Sequence, residues 1–269
     1  MNVVADIGRA RQAAGALKVS LDEFYRGVFQ ANQPLDTGHR SGSDALLIAA
    51  SLPEGAAGRL ADLGSGAGVA GLAAAASNPE LDVTLIEKNP QMASLARGNL
   101  RLRPNLKFAG RTAVLEADVT LSGAKREAAG LKENSFDFAI MNPPYNHDAQ
   151  RPSPDLMRSQ AHVMGLFGLD AWMRTAVAIL KPGGMLAMIY RTEKIGEVYA
   201  CCQGRFGALA IVPVHSKADE CARRILLRMV KGSRAPLNIM PGIVMHEADG
   251  KPTELAARLM NGEARVCFE

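Results

Sequence analysis

Aromatic residues are scarce in this 269-residue chain, at 5% in all, with a single tryptophan. An extended groove in which successive bases stack on aromatic faces needs more rings than that, which argues against a long single-strand-binding surface. Cysteine is equally sparse. Cys201, Cys202, Cys221 and Cys267 show neither zinc-ligand spacing nor a disulfide framework, so the expectation is no bound metal and reduced thiols. Long apolar runs are missing too: the alanine-rich stretch 69–76 falls far short of the roughly 20 residues a membrane-spanning helix needs. The N-terminus lacks the basic start, apolar core and small-residue cleavage site of a secretion signal. These absences predict a cytoplasmic chain without membrane attachment. Nor is there a strong excess of charge. The net charge of +4 permits a polyanionic partner without demanding one. Composition says nothing about oligomeric state.

What is present is a regular alternation of strands and helices. The first stretch reads as a helix over 21–29, then a polar connector over 33–40. Ser43 is placed to cap a helix carrying Ala45, Leu46, Leu47 and Ala49 on one stripe. From Arg59 the pattern changes. A strand over 59–63 runs into the turn Gly64-Ser65-Gly66-Ala67-Gly68 and an alanine-rich helix. A strand over 82–86 ends at Glu87, and Asn89 caps the next helix with Pro90 at its first position. A strand over 113–117 ends at Asp118, and one over 136–141 ends at Asn142. A helix over 169–180 is stopped by Lys181-Pro182-Gly183-Gly184. A strand over 185–190, a helix over 193–203 and strands over 208–214 and 224–230 complete the series. The segment 123–133 reads as a surface insertion, and 250–269 as a helix and a strand of no assignable role. Strands separated by helices imply right-handed crossovers and a mostly parallel sheet covered on both faces, an α/β domain. The expected division is an extension of helix and loop over 1–58 and a catalytic domain over 59–269.

Ligands of such sheets bind beyond the carboxyl ends of the strands. Asp62 with its glycines, Glu87, Asp118 and Asn142-Pro143-Pro144-Tyr145 all fall at such ends, outlining one crevice. Gly64 and Gly66 let backbone approach a ligand closely, and the helix that follows offers free N–H groups to an anion. Asp62 suits an amino group or a sulfonium better than a pyrophosphate. Gly66, Gly68 and Gly71 also satisfy the dinucleotide pattern G-x-G-x-x-G, so a nicotinamide or flavin reading stays open at this point. Glu87 sits where a carboxylate holds ribose hydroxyls in either cofactor class, and equally fits a solvated strand end. Asp118 fits an adenine amino group or a simple turn aspartate.

Asn142-Pro143-Pro144-Tyr145 is more telling. Two prolines fix their own φ angles and force Asn142 towards an extended conformation, which stiffens the loop. An amine conjugated to a ring or carbonyl is a poor nucleophile because its lone pair is delocalised. The Asn142 side-chain oxygen and the Pro143 carbonyl could accept its two N–H bonds and so draw the nitrogen towards tetrahedral geometry. Tyr145 offers a face on which a planar base stacks. No strong general base is required, because the product ammonium is acidic.

Taken together, Asp62 to Gly68, Glu87, Asp118 and Asn142 to Tyr145 resemble the class I methyltransferases with an N-P-P-Y motif. The resemblance covers residues 33–230. The stretch from Gln33-Pro34 to Gly38-His39-Arg40-Ser41-Gly42-Ser43-Asp44-Ala45 is similar to bacterial tRNA adenine-N6 methyltransferases of the valine-tRNA type. The resemblance implies a Rossmann-like, seven-stranded, mostly parallel sheet with helices on both faces and an antiparallel last strand. It also implies S-adenosylmethionine as cofactor, held by Asp62, Gly64, Gly66, Glu87, Asp118 and Asn142. Catalysis would fall to Asn142, Pro143 and Tyr145. Cytosine-N4, guanine-N2 and glutamine-N5 enzymes share variants of the motif, so a release-factor glutamine methyltransferase is the nearest rival. That family carries a larger helical N-terminal domain. Small-molecule or O-methylation and a non-catalytic RNA-binding role are further alternatives; metal-dependent O-methylation would want carboxylates where this chain has Asn142 and prolines.

An RNA partner, tRNA above all, is further suggested by basic residues. Arg223, Arg224, Arg228, Lys231 and Arg234 form a run without an acidic residue, His39 and Arg40 precede the cofactor domain, and Arg151 and Arg158 flank the proposed catalytic loop. A run of this kind is equally consistent with a solvated face. With so few aromatics, a single flipped base fits better than an extended strand.

Overall fold

The computed structural model describes residues 17–35, 42–144 and 156–268, those of 156–167 by backbone alone. Tyr145, His39, Arg40 and Arg151 lie outside the described residues, as does the side chain of Arg158.

The expected helix over 21–29 is instead a hairpin of β1 (Val19–Phe24) and β2 (Phe29–Pro34), paired antiparallel from Val19–Pro34 to Phe24–Phe29. Leu21, Phe24, Tyr25 and Phe29 have helical spacing, but Tyr25, Arg26 and Gly27 all adopt positive φ and reverse the chain. The apolar residues then meet across the turn. The Phe24 and Phe29 rings stack at 4.9 Å, and Tyr25 meets Phe29 edge-on at 5.3 Å.

Next comes α1 (Ser43–Ala50), whose cap position is Gly42. Ser43 is the first helical residue and not the cap; its hydroxyl accepts from the Arg224 guanidinium at 3.2 Å. The alternation then follows as β3 (Gly58–Leu63), α2 (Val69–Ser77), β4 (Leu81–Glu87) and α3 (Pro90–Asn99). Asn89 caps α3 as expected, its side chain accepting from the N–H groups of Gln91 and Met92. A single 3-10 turn and α4 (Leu106–Ala109) lead into β5 (Thr112–Glu116).

The segment 123–133 is no insertion. It contains α5 (Gly123–Ala128), the crossover that carries the chain from the sheet edge back to β6 (Phe136–Met141) beside β3. Leu131 is fully buried there, and the Arg126 guanidinium binds the Leu131 carbonyl and Glu133. The helix before Lys181 is longer than its periodicity suggests: α6 (Leu156–Ile179) runs 24 residues. It passes directly into β7 (Leu180–Arg191), with the Pro-Gly-Gly stretch absorbed in a register shift opposite Phe136–Phe138. After α7 (Ile195–Cys202) come β8 (Phe206–His215) and β9 (Arg224–Lys231). The short strands β10 (Asn238–Ile239) and β11 (Ile243–Val244) add to the outer side of β8. Of the expected helix and strand in the tail, only α8 (Glu254–Met260) forms; beyond it the Val266 N–H bonds the Ala50 carbonyl at the end of α1.

The sheet order is β5-β4-β3-β6-β7-β9-β8, all parallel except β9, which runs antiparallel between β7 and β8. The expected seven strands and antiparallel last strand are therefore present, with β10 and β11 in addition. Side chains alternate between two cores, as the two-residue period of strands requires. On β7, Met185, Ala187 and Ile189 join α1, α2 and α8 on one face. Leu186, Met188 and Tyr190 join α6 and α7 on the other. Cys201 and Cys202 are buried in α7, where loss of water pushes both thiols up, that of Cys202 to about 12, so they remain protonated.

Candidate active site

Strand register places the candidate residues in one row. Leu63 pairs with Ile86 on one side and Met141 on the other. The next residue on each strand is Gly64, Glu87 and Asn142. With adjacent strands about 4.8 Å apart, Asn142, Gly64, Glu87 and the end of β5 span about 14 Å, the length of a nucleoside carrying a short chain. Asp118 continues this row two residues past Glu116, which pairs with Glu87.

The glycine turn is the tightest part of the row. Gly64, Gly66 and Gly68 adopt φ of +69, +56 and +91°, a region that side chains rarely enter. A Cβ on Gly64 would lie 2.3 Å from Cη2 of Trp172 on α6, so the indole stands directly over the turn. Nothing in the motif spacing pointed to Trp172; its being the lone tryptophan was the only signal. Gly71 is small for a different reason, since a Cβ there would meet Leu85 at 2.2 Å where α2 packs on β4.

Asp62 is 3% exposed, and its Oδ2 accepts the Gly71 N–H at 2.8 Å. Gly68, at the N-cap of α2, has no side chain to satisfy that helix, so Asp62 on β3 satisfies its third amide. Burial pushes the Asp62 carboxyl up to about 7, against the Gly71 hydrogen bond and with some help from the charge of Glu87. A buried acid this reluctant to ionise gains most from a cation brought beside it. Glu87 ties the turn down: Oε2 accepts the Gly66 N–H at 2.9 Å and Oε1 the Asn89 N–H at 2.8 Å. A carboxylate has about four acceptor sites, so hydroxyl donors can still be taken. Asp118 makes an aspartate turn, its Oδ1 accepting from the N–H and hydroxyl of Thr120. Partial burial works to raise its carboxyl. The Thr120 bonds and the charge of Lys88 outweigh that and hold it below the usual range.

Asn142 is half-buried, Pro143 buried and Pro144 exposed at the end of β6. The structure thus brings Asp62, Gly64, Gly66, Glu87 and Asn142 together, with Asp118 at the far end of the row.

Two asparagines escaped sequence reasoning. Asn99, fully buried at the end of α3, donates to the carbonyls of Ala67 in the glycine turn (2.9 Å) and of Asn32 in β2 (3.1 Å). Its Oδ1 accepts the Asn32 N–H at 2.8 Å. Asn105 binds the Gln30 backbone in the same way.

The basic run does not form one patch. Because β9 is antiparallel, Arg224 sits opposite Arg191 at the carboxyl edge, while Lys231 pairs with Phe206 at the other edge. Seven residues of strand separate Arg224 and Lys231 by about 23 Å. Lys231 is engaged there by Asn134 and the Leu180 carbonyl, and Arg228 lies over the Phe268 ring at 4.8 Å. Only Arg223 and Arg224 remain near the row.

Residues 25–217 match the family model of the methyltransferase small domain. The chain is 28% identical over 214 residues to the tRNA1(Val) (adenine(37)-N6)-methyltransferase of Aeromonas hydrophila, covering 78% of this chain and 83% of that protein. It is 29% identical over 163 residues to the enzyme of the same name from Porphyromonas gingivalis, covering 59% of this chain and 61% of that relative's length. A crystal structure of a predicted O-methyltransferase from Agrobacterium tumefaciens superposes with a TM-score of 0.72 at 39% identity, covering 83% of this chain and 98% of that one.

Proposed function

Because the chain belongs to the methyltransferase small domain family, we propose that it transfers a methyl group from S-adenosylmethionine to an exocyclic amine, adenine N6 in tRNA foremost. The observation that supports this reading is the pairing of Met141 with Leu63, which brings the residue after each, Asn142 and Gly64, to the same level at the ends of adjacent strands. The names of the relatives from Aeromonas hydrophila and Porphyromonas gingivalis point to the same substrate.

The residues present fit the cofactor. The turn leaves backbone open at Gly66, where a Cβ would meet only Met92 at 3.8 Å, while Trp172 walls the Gly64 side. Glu87 offers acceptors for ribose hydroxyls, and Asp118 an acceptor at the far end of the row. Asp62, pushed up to about 7 by burial, is a counter-charge for the cationic methionine end. When bound, S-adenosylmethionine supplies an electrophilic methyl on a sulfonium.

Everything else falls to the chain. Asn142 Oδ1 and the Pro143 carbonyl accept the two N–H bonds of the amine, turning its lone pair towards the methyl. The two prolines keep these acceptors fixed, so no reorganisation is needed at the moment of attack. Tyr145 stacks on the base, and water takes the proton that the product ammonium releases. The Agrobacterium neighbour raises O-methylation as a second reading. A hydroxyl needs a base to take its proton, and neither a carboxamide nor a carbonyl does that, so the amine is favoured.

Transfer of labelled methyl groups to total tRNA, to a release factor and to small hydroxylated acceptors tests the proposal. Incorporation into tRNA that falls at least 100-fold in Asn142→Ala, measured at saturating cofactor and well beyond any loss of cofactor affinity, is the expected result. Labelling of the release factor or the hydroxylated acceptors alone would sink it.

A further inference from the structure

A cavity of about 480 Å³ opens on the carboxyl edge of the sheet, separate from the glycine turn and lined chiefly by Arg191, Arg223, Arg224, Ser216, Asp44 and Glu193. Its position relative to the active site follows from register. Met188 lies opposite Met141, so Arg191 is one strand over and two residues beyond the level of Asn142, and Arg224 lies opposite Arg191. With strands about 4.8 Å apart and a rise of about 3.3 Å per residue, the Cα atoms of Arg191 and Arg224 are about 8 and about 12 Å from that of Asn142. That is the reach of one neighbouring nucleotide.

The charges of the cavity do not cancel. Asp44 is engaged by Arg224, and Glu193 by Arg191 at 3.2 Å. The Arg191 guanidinium holds the Glu193 carboxyl below its usual range. Arg223 is exposed and makes no ion pair among the described residues. Its backbone carbonyl is fixed by the Thr192 N–H at 3.2 Å, so the side chain is launched from an anchored point at the rim. One uncompensated guanidinium beside two that are oriented by carboxylates, in a cavity that Ser216 also lines, is a donor set for a single singly charged oxyanion.

We propose that this cavity is a subsite for one phosphodiester of the RNA, adjacent to the nucleotide whose base enters the active site. The proposal rests on the reading of an RNA substrate given above. Arg223 supplies the charge, while Arg191 and Arg224 present N–H groups already aligned by Glu193 and Asp44. The phosphate fixes the register of the backbone, leaving the identity of the base to the Asn142 loop.

The test is the binding of a tRNA anticodon stem-loop, by fluorescence anisotropy over a salt series, to the wild-type protein and to Arg223→Ala, Arg223→Glu and Arg234→Ala. Arg234 is exposed after β9, at the opposite edge, and controls for net charge. Arg223→Ala is expected to weaken binding about 3- to 10-fold and to make the salt dependence shallower by about 0.7 to 0.9, the value for one phosphate contact. Arg223→Glu weakens it further, and Arg234→Ala leaves both quantities near wild type; melting temperatures confirm that every variant is folded. Equal effects at Arg223 and Arg234, or none at Arg223 while the wild type binds, would overturn the subsite and leave the RNA reading standing. A wild-type protein that binds no RNA would remove both.

Discussion

Replacing Asp62 by asparagine should make the protein more stable while disabling it. The carboxyl is 3% exposed, and burial pushes it from the ordinary 3.8 up to about 7. An unfolded chain releases this proton near 3.8, whereas the folded chain keeps it until about 7. Across that window the unfolded state binds fewer protons, so the contribution of this group to stability is complete below 3.8, falls as pH rises and is lost by about pH 7. At 1.36 kcal/mol for each pH unit of the gap, the loss is about 4 kcal/mol at its upper bound, of which about 1.6 has accrued by pH 5. Asparagine keeps the acceptor for the Gly71 N–H and has nothing to ionise. Allowing for relaxation, Asp62→Asn should gain roughly 2–4 kcal/mol at pH 8, raising the melting temperature of the ligand-free protein by roughly 5–15 °C. At pH 5 the advantage shrinks to about a third of that. Thermal melts of both proteins from pH 5 to pH 8, with S-adenosylmethionine titrations alongside, read both halves of the prediction; the variant should bind at least about tenfold more weakly. A stability difference that is flat with pH, or an asparagine variant less stable at pH 8, would refute the reasoning.

Gly64→Ala places a methyl 2.3 Å from the Trp172 ring at a φ of +69°. It should cost roughly 1–3 kcal/mol in denaturant unfolding, and adding Trp172→Leu should recover part of that. Trp172 is the only tryptophan in the chain, so its fluorescence should change saturably as S-adenosylmethionine binds beside the turn that the ring covers, and a flat titration would remove it from the site wall. Asn99→Ala strands the Asn32 N–H and the Ala67 carbonyl away from solvent, and urea unfolding should show a loss of roughly 2–4 kcal/mol.

The parts of this molecule that could be read beforehand are those governed by neighbours in sequence. The glycine turn, the Asn89-Pro90 start of α3 and the strand ends at Glu87 and Asn142 each carry their cause within a few residues. Where the cause was distant, reading failed. The spacing of Leu21, Phe24, Tyr25 and Phe29 satisfies a helix until three consecutive positive φ angles fold it into a hairpin. Segment 123–133 looks idle until the sheet order shows that the chain must recross two strands. The basic run is continuous in sequence but divided between two edges by one antiparallel strand. Asp62 was legible as a site residue, though not as the partner of a helix amide nine positions later. Trp172 over Gly64 joins residues more than a hundred positions apart, which no local pattern encodes.

The side-chain amide of Asn99 is shared between the hairpin and the glycine turn, and sharing works in both directions. Whatever free energy a nucleoside ligand spends in rigidifying Ala67 is felt at Asn32, and a hairpin that detaches must loosen the turn by an equal amount. Amide protons of a two-stranded ribbon remote from the chemistry should therefore exchange more slowly when the crevice is filled.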